Sequence, residues 1–277
     1  MKLIADSGST QTGWCLSDNG KLIMELESGG INPFYQTIEE IRKVIIPRVT
    51  KAVGEHPVDE IWFYGAGCSF PEKKAMVMEV LREACPLAQI TIESDLLAAA
   101  RSLLQHEAGI ACILGTGSNS CLYDGEQIVA NVSPLGFILG DEGSGAVLGK
   151  HLVADALKNQ LPEWLRDKLL DEYELTPALI MERVYRGEFP NRFLASLTPF
   201  LAEHIDEPAI FNLVYDSFES FFHRNLAQYE TENNRIAFTG SVAWHFRETL
   251  EIVASENGFQ IEKIEQNPMN GLLLYHS

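Results

Sequence analysis

Small and hydroxylated residues are concentrated in two turns of the chain. The first turn reads Asp6-Ser7-Gly8-Ser9-Thr10 and the second reads Gly115-Thr116-Gly117-Ser118-Asn119, and each follows a short apolar run. Glycine lets a ligand approach the backbone closely, and consecutive free N–H groups in such turns form concave anion sites. The second turn therefore predicts a phosphate-binding hairpin.

The residues after Gly117 distinguish this hairpin from a dinucleotide fingerprint. Asp124-Gly125 is a strong signal for a tight hairpin, and it joins a predicted strand at 119–123 to another at 127–132. A dinucleotide fingerprint needs a strand, a glycine turn and then a helix, with a third glycine. The sequence does not follow that order, so we favour phosphate binding by the hairpin itself.

The hydrophobic periodicity predicts the same order of elements in each half of the chain. In the first half, strands are predicted at 2–5, 12–17, 22–26, 60–64 and 89–93, and helices at 37–53, 71–84 and 96–105. In the second half, strands are predicted at 110–114, 119–123, 127–132, 235–239 and 259–264, with helical signals at 144–223 and 242–255. The prediction is an α/β fold with domains at 1–107 and 108–277. Each domain has the order β-β-β-α-β-α-β-α, and the second carries a helical insertion at about 146–230.

Composition restricts the partners. A formal charge of −18 disfavours nucleic acid and anionic membranes, because both need a basic surface. No apolar run approaches the ~18 residues of a membrane span, and the N-terminus enters a strand without a signal-peptide core. The five cysteines are an odd number without a CxxC pair, which predicts buried free thiols. We therefore predict a cytoplasmic protein that binds a small molecule.

Four signatures together carry a resemblance to a known superfamily. They are Asp6–Thr10, Gly115–Asn119, Gly140-Asp141-Glu142-Gly143-Ser144 and Phe238-Thr239-Gly240-Ser241. In this order, on two halves of the same topology, they resemble the actin/hexokinase/Hsp70 ATPase superfamily. The stretch from Leu114 to Gly145 is similar to its N-acetylglucosamine kinase and BadF-BadG-BcrA-BcrD ATPase branch. The resemblance implies two RNase H-like (actin-like ATPase) domains that close over a cleft, with ATP and Mg²⁺ as cofactors.

The resemblance also implies which residues contact the nucleotide. Asp6 would hold Mg²⁺. The phosphates would lie against Gly8, Ser9 and Thr10 and against Gly115, Thr116 and Gly117, and the adenosine against Gly240 and Ser241. A simpler interpretation stays open for each, since tight turns and helix starts use the same residues without a ligand.

Asp95 resembles the family aspartate that accepts the proton of the sugar hydroxyl, because it follows a strand whose end should reach the cleft. Proton acceptance from a positioned alcohol suits a carboxylate whose pKa is tuned by burial. The alternative is a structural role for Asp95 as a helix N-cap. The resemblance further implies sugar contacts from Asn32, Thr116, Asn119, Gly136 and Asp141.

The sequence thus predicts an ATP-dependent sugar kinase that acts on N-acetylglucosamine or a related hexosamine. One alternative is a BadF-type ATPase that couples hydrolysis to a protein partner, which would need cysteines converging on a dimer interface; Cys68 is the only loop candidate. Another is a non-catalytic sugar or nucleotide sensor. The helically spaced aromatic set at 211, 215, 218, 221 and 222 predicts either core or the face of a homodimer.

Overall fold

The computed structural model describes residues 1–8, 10–54, 56–231 and 235–277. Its contacts divide the chain into two compact units. The first unit contains 1–108, 123–128 and 267–277, and the second contains 109–122 and 129–266. Residues 267–277, which the sequence analysis assigns to the second domain, therefore group with the first unit. The domain assignment itself stays a prediction.

The elements alternate as the sequence pattern predicts. The strands are β1 (Lys2–Ser7), β2 (Gln11–Asp18), β3 (Lys21–Gly29), β4 (Glu60–Gly65), β5 (Gln89–Ser94), β6 (Gly109–Leu114), β7 (Ser118–Tyr123), β8 (Ile128–Ala130), β9 (Arg235–Thr239) and β10 (Gln260–Glu265). The helices are α1 (Ile38–Val53), α2 (Pro71–Ala84), α3 (Asp95–Leu104), α4 (Gly136–Leu139), α5 (Gly145–Leu157), α6 (Glu163–Glu172), α7 (Pro177–Tyr185), α8 (Pro190–Ala195), α9 (Thr198–Glu203), α10 (Pro208–Arg224), α11 (Ser241–His245), α12 (Arg247–Glu256) and α13 (Met269–Tyr275).

Each unit is built on a five-stranded sheet, and the two sheets have equivalent strand orders. The first is β3-β2-β1-β4-β5 and the second is β10-β9-β6-β7-β8. In the first sheet β2 is antiparallel to β1 and β3, whereas β4 runs parallel to β1 and β5. In the second sheet β9 runs parallel to β6 and β10. The predicted α/β class and the repeated order of elements are confirmed, with helices α4 to α10 between β8 and β9.

Local sequence signals explain several element boundaries. Thr37 and Glu40 form a capping box at the start of α1, in which Glu40 Oε2 accepts from Thr37 N at 2.7 Å. Pro71 occupies the first position of α2, where its missing N–H has no cost. Pro47 lies inside α1, and the helix nevertheless continues to residue 53. The hairpin between β2 and β3 uses Asn19 and Gly20, whose φ angles of 49° and 76° match the twist of the strands.

Apolar side chains form separate cores in the two units. In the first unit the core contains Trp14, Ile61 and Phe63 of the sheet together with residues of helices α1 and α2. In the second unit the predicted aromatic set contributes Phe218, Phe221 and Phe222 to the core, which confirms the core interpretation for these three. All five cysteines are buried and free, as predicted.

The last helix of the predicted order, for which the sequence analysis gave no bounds, is α13, and buried Leu272 anchors it. The structure differs from the predicted elements in two places. The predicted helix at 242–255 is divided at buried Phe246 into α11 and α12. The short helix α4 was not predicted, because four residues show no period. Within the described ranges no helix is long and apolar enough to cross a membrane.

Candidate active site

Asp6 is placed near the end of β1, where it pairs with Gly13 of β2 and Tyr64 of β4. Its side chain is partly buried and lines a cavity of about 310 Å³ that also contains Glu25 and Glu27. Burial, and secondly the charge on Asp95, raise the pKa of Asp6 to about 7. The ionised form of Asp6 is therefore unfavourable without a cation.

The first glycine turn follows directly. Gly8 N donates to Gln11 O at 3.0 Å, which closes the turn, and both Gly8 and Thr10 are exposed. Ser9, the third predicted phosphate contact of this turn, lies outside the described residues. The phosphate role of this turn stays a prediction.

Asp95 is the first residue of α3 and follows β5 without a loop. The N-cap is Ser94, whose Oγ accepts from Leu97 N at 3.2 Å, so the interpretation of Asp95 as the N-cap is wrong. Asp95 Oδ1 accepts from Leu96 N at 2.9 Å. Burial raises the pKa of Asp95 to about 6, although this hydrogen bond favours the ionised form. The carboxyl thus has a pKa suited to a general base near neutral pH.

Asn32 has a structural role in its own loop. It is 7% exposed, and its Oδ1 accepts from Phe34 N at 3.0 Å. A Cβ atom on Gly67 would lie 2.2 Å from this oxygen, so the two loops pack closely in the first unit. The predicted sugar contact of Asn32 stays a prediction.

In the second unit, the turn between β6 and β7 is held from one side by helix α5. Gly115 O and Thr116 O accept from Gly145 N at 2.8 Å and Ala146 N at 3.1 Å. Gly115 N donates to Gly117 O at 2.9 Å. Among the described residues, the amides of Thr116 and Gly117 have no hydrogen-bond acceptor. Two adjacent free N–H groups fit an anion such as a phosphate.

The lack of a side chain at Gly115 is not explained by packing. A Cβ atom built on Gly115 would meet nothing within 4 Å, and its φ lies outside the left-handed region. A turn that needed glycine only for its own backbone would show a clash or a positive φ. Open space above Gly115 is expected where a ligand approaches the chain.

Asp141 lies beside the same turn. Its φ is 53°, and its carboxylate accepts from the Ser118 amide. Oδ2 lies 3.2 Å from the position that a Cβ on Gly117 would occupy. Burial raises the pKa of Asp141 to about 6, and the Ser118 hydrogen bond opposes this. Asp141 therefore lies next to the glycine turn, and its predicted sugar contact stays a prediction.

Two further predicted sugar contacts lie in this unit. Asn119 Oδ1 accepts from Asn131 Nδ2 at 3.0 Å and from Ser120 N. These two bonds fix the orientation of the Asn119 side-chain amide, and its sugar contact stays a prediction. Gly136 has a φ of +75°, begins α4 and accepts from Gly140 N at 2.7 Å. The structure explains Gly136 by its backbone, and its sugar contact stays a prediction.

Gly240 directly follows β9 and packs against the start of the glycine turn. Its φ is +119°, and a Cβ atom there would lie 2.2 Å from Leu114 O and 3.2 Å from Gly115 N. Only glycine allows this approach. The adjacent Ser241 is exposed and lines a cavity of about 410 Å³.

This cavity is mainly apolar and lies between α9 and α11. Its walls include Pro199, Ala202, Val242 and Phe246. An apolar slot of this size next to a phosphate-type turn fits a flat heteroaromatic base. Sequence reasoning missed the α9 wall, because nothing in the insertion marks Pro199 or Ala202 as more than helix residues.

Asp6 is the residue predicted to hold a magnesium ion, and its surroundings fit that ion as one carboxylate ligand. Among the described residues no group of three or more His, Cys, Asp or Glu side chains could hold a metal by itself. Mg²⁺ keeps several waters and commonly takes one or two carboxylates together with substrate phosphates. Burial and the charge of Asp95 raise the pKa of Asp6. A bound cation would stabilise the ionised Asp6 carboxylate against both effects.

Comparison with known proteins agrees with the fold and the motifs. The putative N-acetylglucosamine kinase from Porphyromonas gingivalis has a solved structure that is 47% identical, covers 100% of this chain and 98% of its own, and superposes with a TM-score of 0.94. An N-acetylmuramic acid/N-acetylglucosamine kinase from Clostridium acetobutylicum is 26% identical over 70% of this chain and 67% of its own. A glucosamine kinase from Vibrio cholerae is 30% identical over 52% of this chain, and the match spans half of that protein's length. No family model matches the chain.

The fold is that of the actin-like ATPases and sugar kinases. Within that class, the chain belongs to the N-acetylglucosamine kinase family, as the resemblance of its motifs predicted.

Proposed function

We propose that this protein is an ATP-dependent hexosamine kinase with N-acetylglucosamine as its first candidate substrate. The observation that carries the proposal is Asp95. Its carboxyl opens helix α3 without capping it, has a pKa raised to about 6 by burial, and acts electrostatically on Asp6. The relatives named above carry the names of kinases for N-acetylglucosamine, N-acetylmuramic acid or glucosamine, which supports a hexosamine acceptor.

In the proposed reaction, Asp95 accepts the proton of one sugar hydroxyl as the hydroxyl oxygen attacks the γ-phosphorus of ATP. The new bond joins that oxygen to phosphorus, and the bond between the γ-phosphorus and the β–γ bridging oxygen breaks to release ADP. Phosphoryl transfer needs little covalent help from a protein, so positioning and charge neutralisation supply most of the rate enhancement.

Asp6 is the residue that would hold Mg²⁺, and the bound ion would neutralise charge on the phosphates. Gly8, Ser9 and Thr10 would contact the same phosphates. In the second unit, the free amides of Thr116 and Gly117 would donate to phosphate oxygens, with Gly115 giving the ligand room to approach.

Base and sugar recognition would use different parts of the second unit. The cavity beside Gly240 and Ser241 would take the adenine. Sugar hydroxyls would be bound by Asp141, Asn119 and Thr116, with Gly136 and Asn32 as further contacts. A charge of −18 supports a small-molecule substrate over nucleic acid. A cytoplasmic location belongs to the same proposal. A homodimer is part of the same proposal.

The proposal is tested by Mg²⁺-dependent ADP release with ATP and each of four sugars: N-acetylglucosamine, glucosamine, N-acetylmannosamine and glucose. ADP release that depends on one hexosamine would support a kinase and name its substrate. ADP release without any sugar would favour an ATPase that is coupled to a partner, and no release with any sugar would contradict the proposal.

A further inference from the structure

Glu142 follows the proposed sugar ligand Asp141 and is held by helix α10. Its carboxylate forms an ion pair with Arg224, and Oε2 accepts from Asn225 Nδ2 at 3.4 Å. The Glu142 side chain is only 15% exposed, whereas the Arg224 side chain is 61% exposed, so the carboxylate is largely buried and its cationic partner reaches it from the surface. Asn225 Nδ2 also donates to Phe221 O at 3.3 Å, which fixes the amide against the end of the helix.

The carboxylates of Asp141 and Glu142 have different hydrogen-bond partners. Asp141 accepts from Ser118 N beside Gly117, whereas Glu142 is bound by residues of α10. The two residues share one peptide group, and Asp141 has a φ of 53°, in the left-handed region that non-glycine residues adopt uncommonly. Fixing Glu142 therefore also fixes the direction of the Asp141 side chain.

The next residue strengthens the attachment to α10. Gly143 N donates to the buried Ser217 Oγ at 3.2 Å. A Cβ atom on Gly143 would lie 3.3 Å from atoms of Leu114, Phe218 and Phe221, so the turn is seated directly on the helix and on β6. A packed contact of this kind transmits displacements, because the interior has little free volume.

Charge balance gives the ion pair a second role. Burial is the main cause of the raised pKa of Asp141, and the charge of Glu142 adds to it. Arg224 lies against Glu142 and compensates this charge. Loss of Arg224 would leave the Glu142 charge without a cationic partner, held only by Asn225, next to the proposed sugar ligand.

We propose that Glu142, clamped by Arg224 and Asn225, is a positioning residue that orients Asp141 for sugar binding. This inference rests on the proposed kinase function and deepens it. Helix α10 of the insertion thereby becomes part of the sugar-binding apparatus without touching the sugar.

The test compares Glu142→Ala, Glu142→Gln, Arg224→Ala and Arg224→Lys in the full chain. Ser220→Ala is the matched control, because Ser220 lies on α10 and lines the same cavity of about 480 Å³ as Glu142. We expect Glu142→Ala to lower kcat/KM for the sugar by roughly 10- to 100-fold, mainly through KM, with KM for ATP unchanged. Glu142→Gln, which can still accept from Asn225, should lose less, and Arg224→Lys should recover most of what Arg224→Ala loses.

Calorimetric titration of the sugar without ATP and the melting temperature complete the test. Weaker sugar binding at an unchanged melting temperature supports positioning. Equal losses for sugar and ATP, or losses that follow a lower melting temperature, would overturn it. A wild-type protein without kinase activity would contradict the proposed function instead, whereas an active wild type with an unchanged sugar KM in Glu142→Ala would contradict only the positioning role.

Discussion

Asp95 acts electrostatically on Asp6. Asp6 lies near the end of β1, and Asp95 directly follows β5 of the same sheet in the first unit. Burial, followed by the charge of Asp95, raises the pKa of Asp6 to about 7, and burial raises that of Asp95 to about 6. Paired acids of this kind, with pKa values moved towards neutrality, are typical of functional sites, and several measurable consequences follow from them.

The first prediction concerns the pH dependence of turnover. A general base must be ionised, so kcat should rise with pH through about 6 and level off above pH 7. Mg²⁺ beside Asp6 favours the ionised form of that group, so Asp6 should not limit the profile when Mg·ATP is saturating. The measurement is kcat between pH 5 and pH 8.5 with all substrates saturating. A flat profile across this range would contradict the role of Asp95.

The second prediction concerns the stability of Asp6→Asn. Because the folded pKa of Asp6 is raised from 3.8 to about 7, folding is opposed progressively as pH increases between these values. Asparagine removes that cost, so the variant should melt higher than wild type at pH 8, with the difference vanishing near pH 4. Thermal scans at both pH values measure this.

Asp6→Asn should also lose the thermal stabilisation that Mg·ATP gives to the wild type. Asp18→Asn is a suitable control. Asp18 is the last residue of β2, away from the end that pairs with Asp6, and it does not line the cavity that contains Asp6. Equal ligand-induced shifts in wild type and Asp6→Asn would refute the metal-binding role.

The third prediction uses two glycines that pack differently. At Gly115 a Cβ atom has open space, whereas at Gly240 it would lie 2.2 Å from Leu114 O at a φ of +119°. Gly115→Ala should keep the melting temperature of the wild type but weaken ATP binding about tenfold or more, because the methyl group occupies the proposed phosphate position. Gly240→Ala should be strongly destabilised, by about 2 kcal/mol or more. Chemical unfolding and ATP titration separate the two effects. Unchanged ATP affinity in Gly115→Ala would argue against phosphate binding by the turn.

The fourth prediction concerns His276, which follows α13. His276 is 6% exposed, and its Nε2 lies 2.8 Å from the hydroxyl of Tyr64, which also accepts from Arg101 Nη1 at 2.9 Å. Burial first, and then the charges of Arg101 and Lys2, lower the pKa of His276 to about 4. His276 is therefore protonated near pH 6.5 in the unfolded chain but only near pH 4 in the folded chain. The free energy of unfolding decreases as pH falls between these two values.

For His276 the loss between pH 7 and pH 5 should be about 2 kcal/mol. His276→Gln, which keeps a hydrogen-bonding side chain without the titration, should show a smaller loss between the same pH values. Urea unfolding at both values measures the difference. Identical pH dependence in the two proteins would contradict the claim that the buried His276 causes this loss of stability.

Much of the fold was predictable because its signals are local. The short apolar run of β1, the Asn19-Gly20 hairpin and the Pro71 start of α2 each have a short-range physical cause. The bounds of helix α13 were not predictable because its stability comes from long-range contacts, such as Gln105 Nε2 donating to Gly271 O at 3.1 Å. Phe246 divides a predicted helix for a tertiary reason as well, since its side chain is buried in the core of the second unit.

The candidate site was predictable only in part. The glycine turns and their aspartates are contiguous in sequence, so composition and spacing reveal them. The clamp on Glu142 joins residues 83 positions apart, and the α9 wall of the apolar cavity comes from the insertion. Such contacts are created by packing and leave no periodic or compositional signal. Sequence also left open whether Asp95 caps α3, which the hydrogen bond from Leu97 N to Ser94 Oγ decides.

The central claim is phosphoryl transfer to a hexosamine with Asp95 as the base. Its most direct test is mass-spectrometric detection of the sugar phosphate after incubation with Mg·ATP and N-acetylglucosamine or glucosamine, for wild type and Asp95→Asn. The account predicts a sugar phosphate with the wild type, and a loss of roughly 10²–10⁴-fold or more in rate with Asp95→Asn at nearly unchanged ATP affinity. A wild type that forms no sugar phosphate, or an Asp95→Asn variant with near-normal turnover, would contradict it.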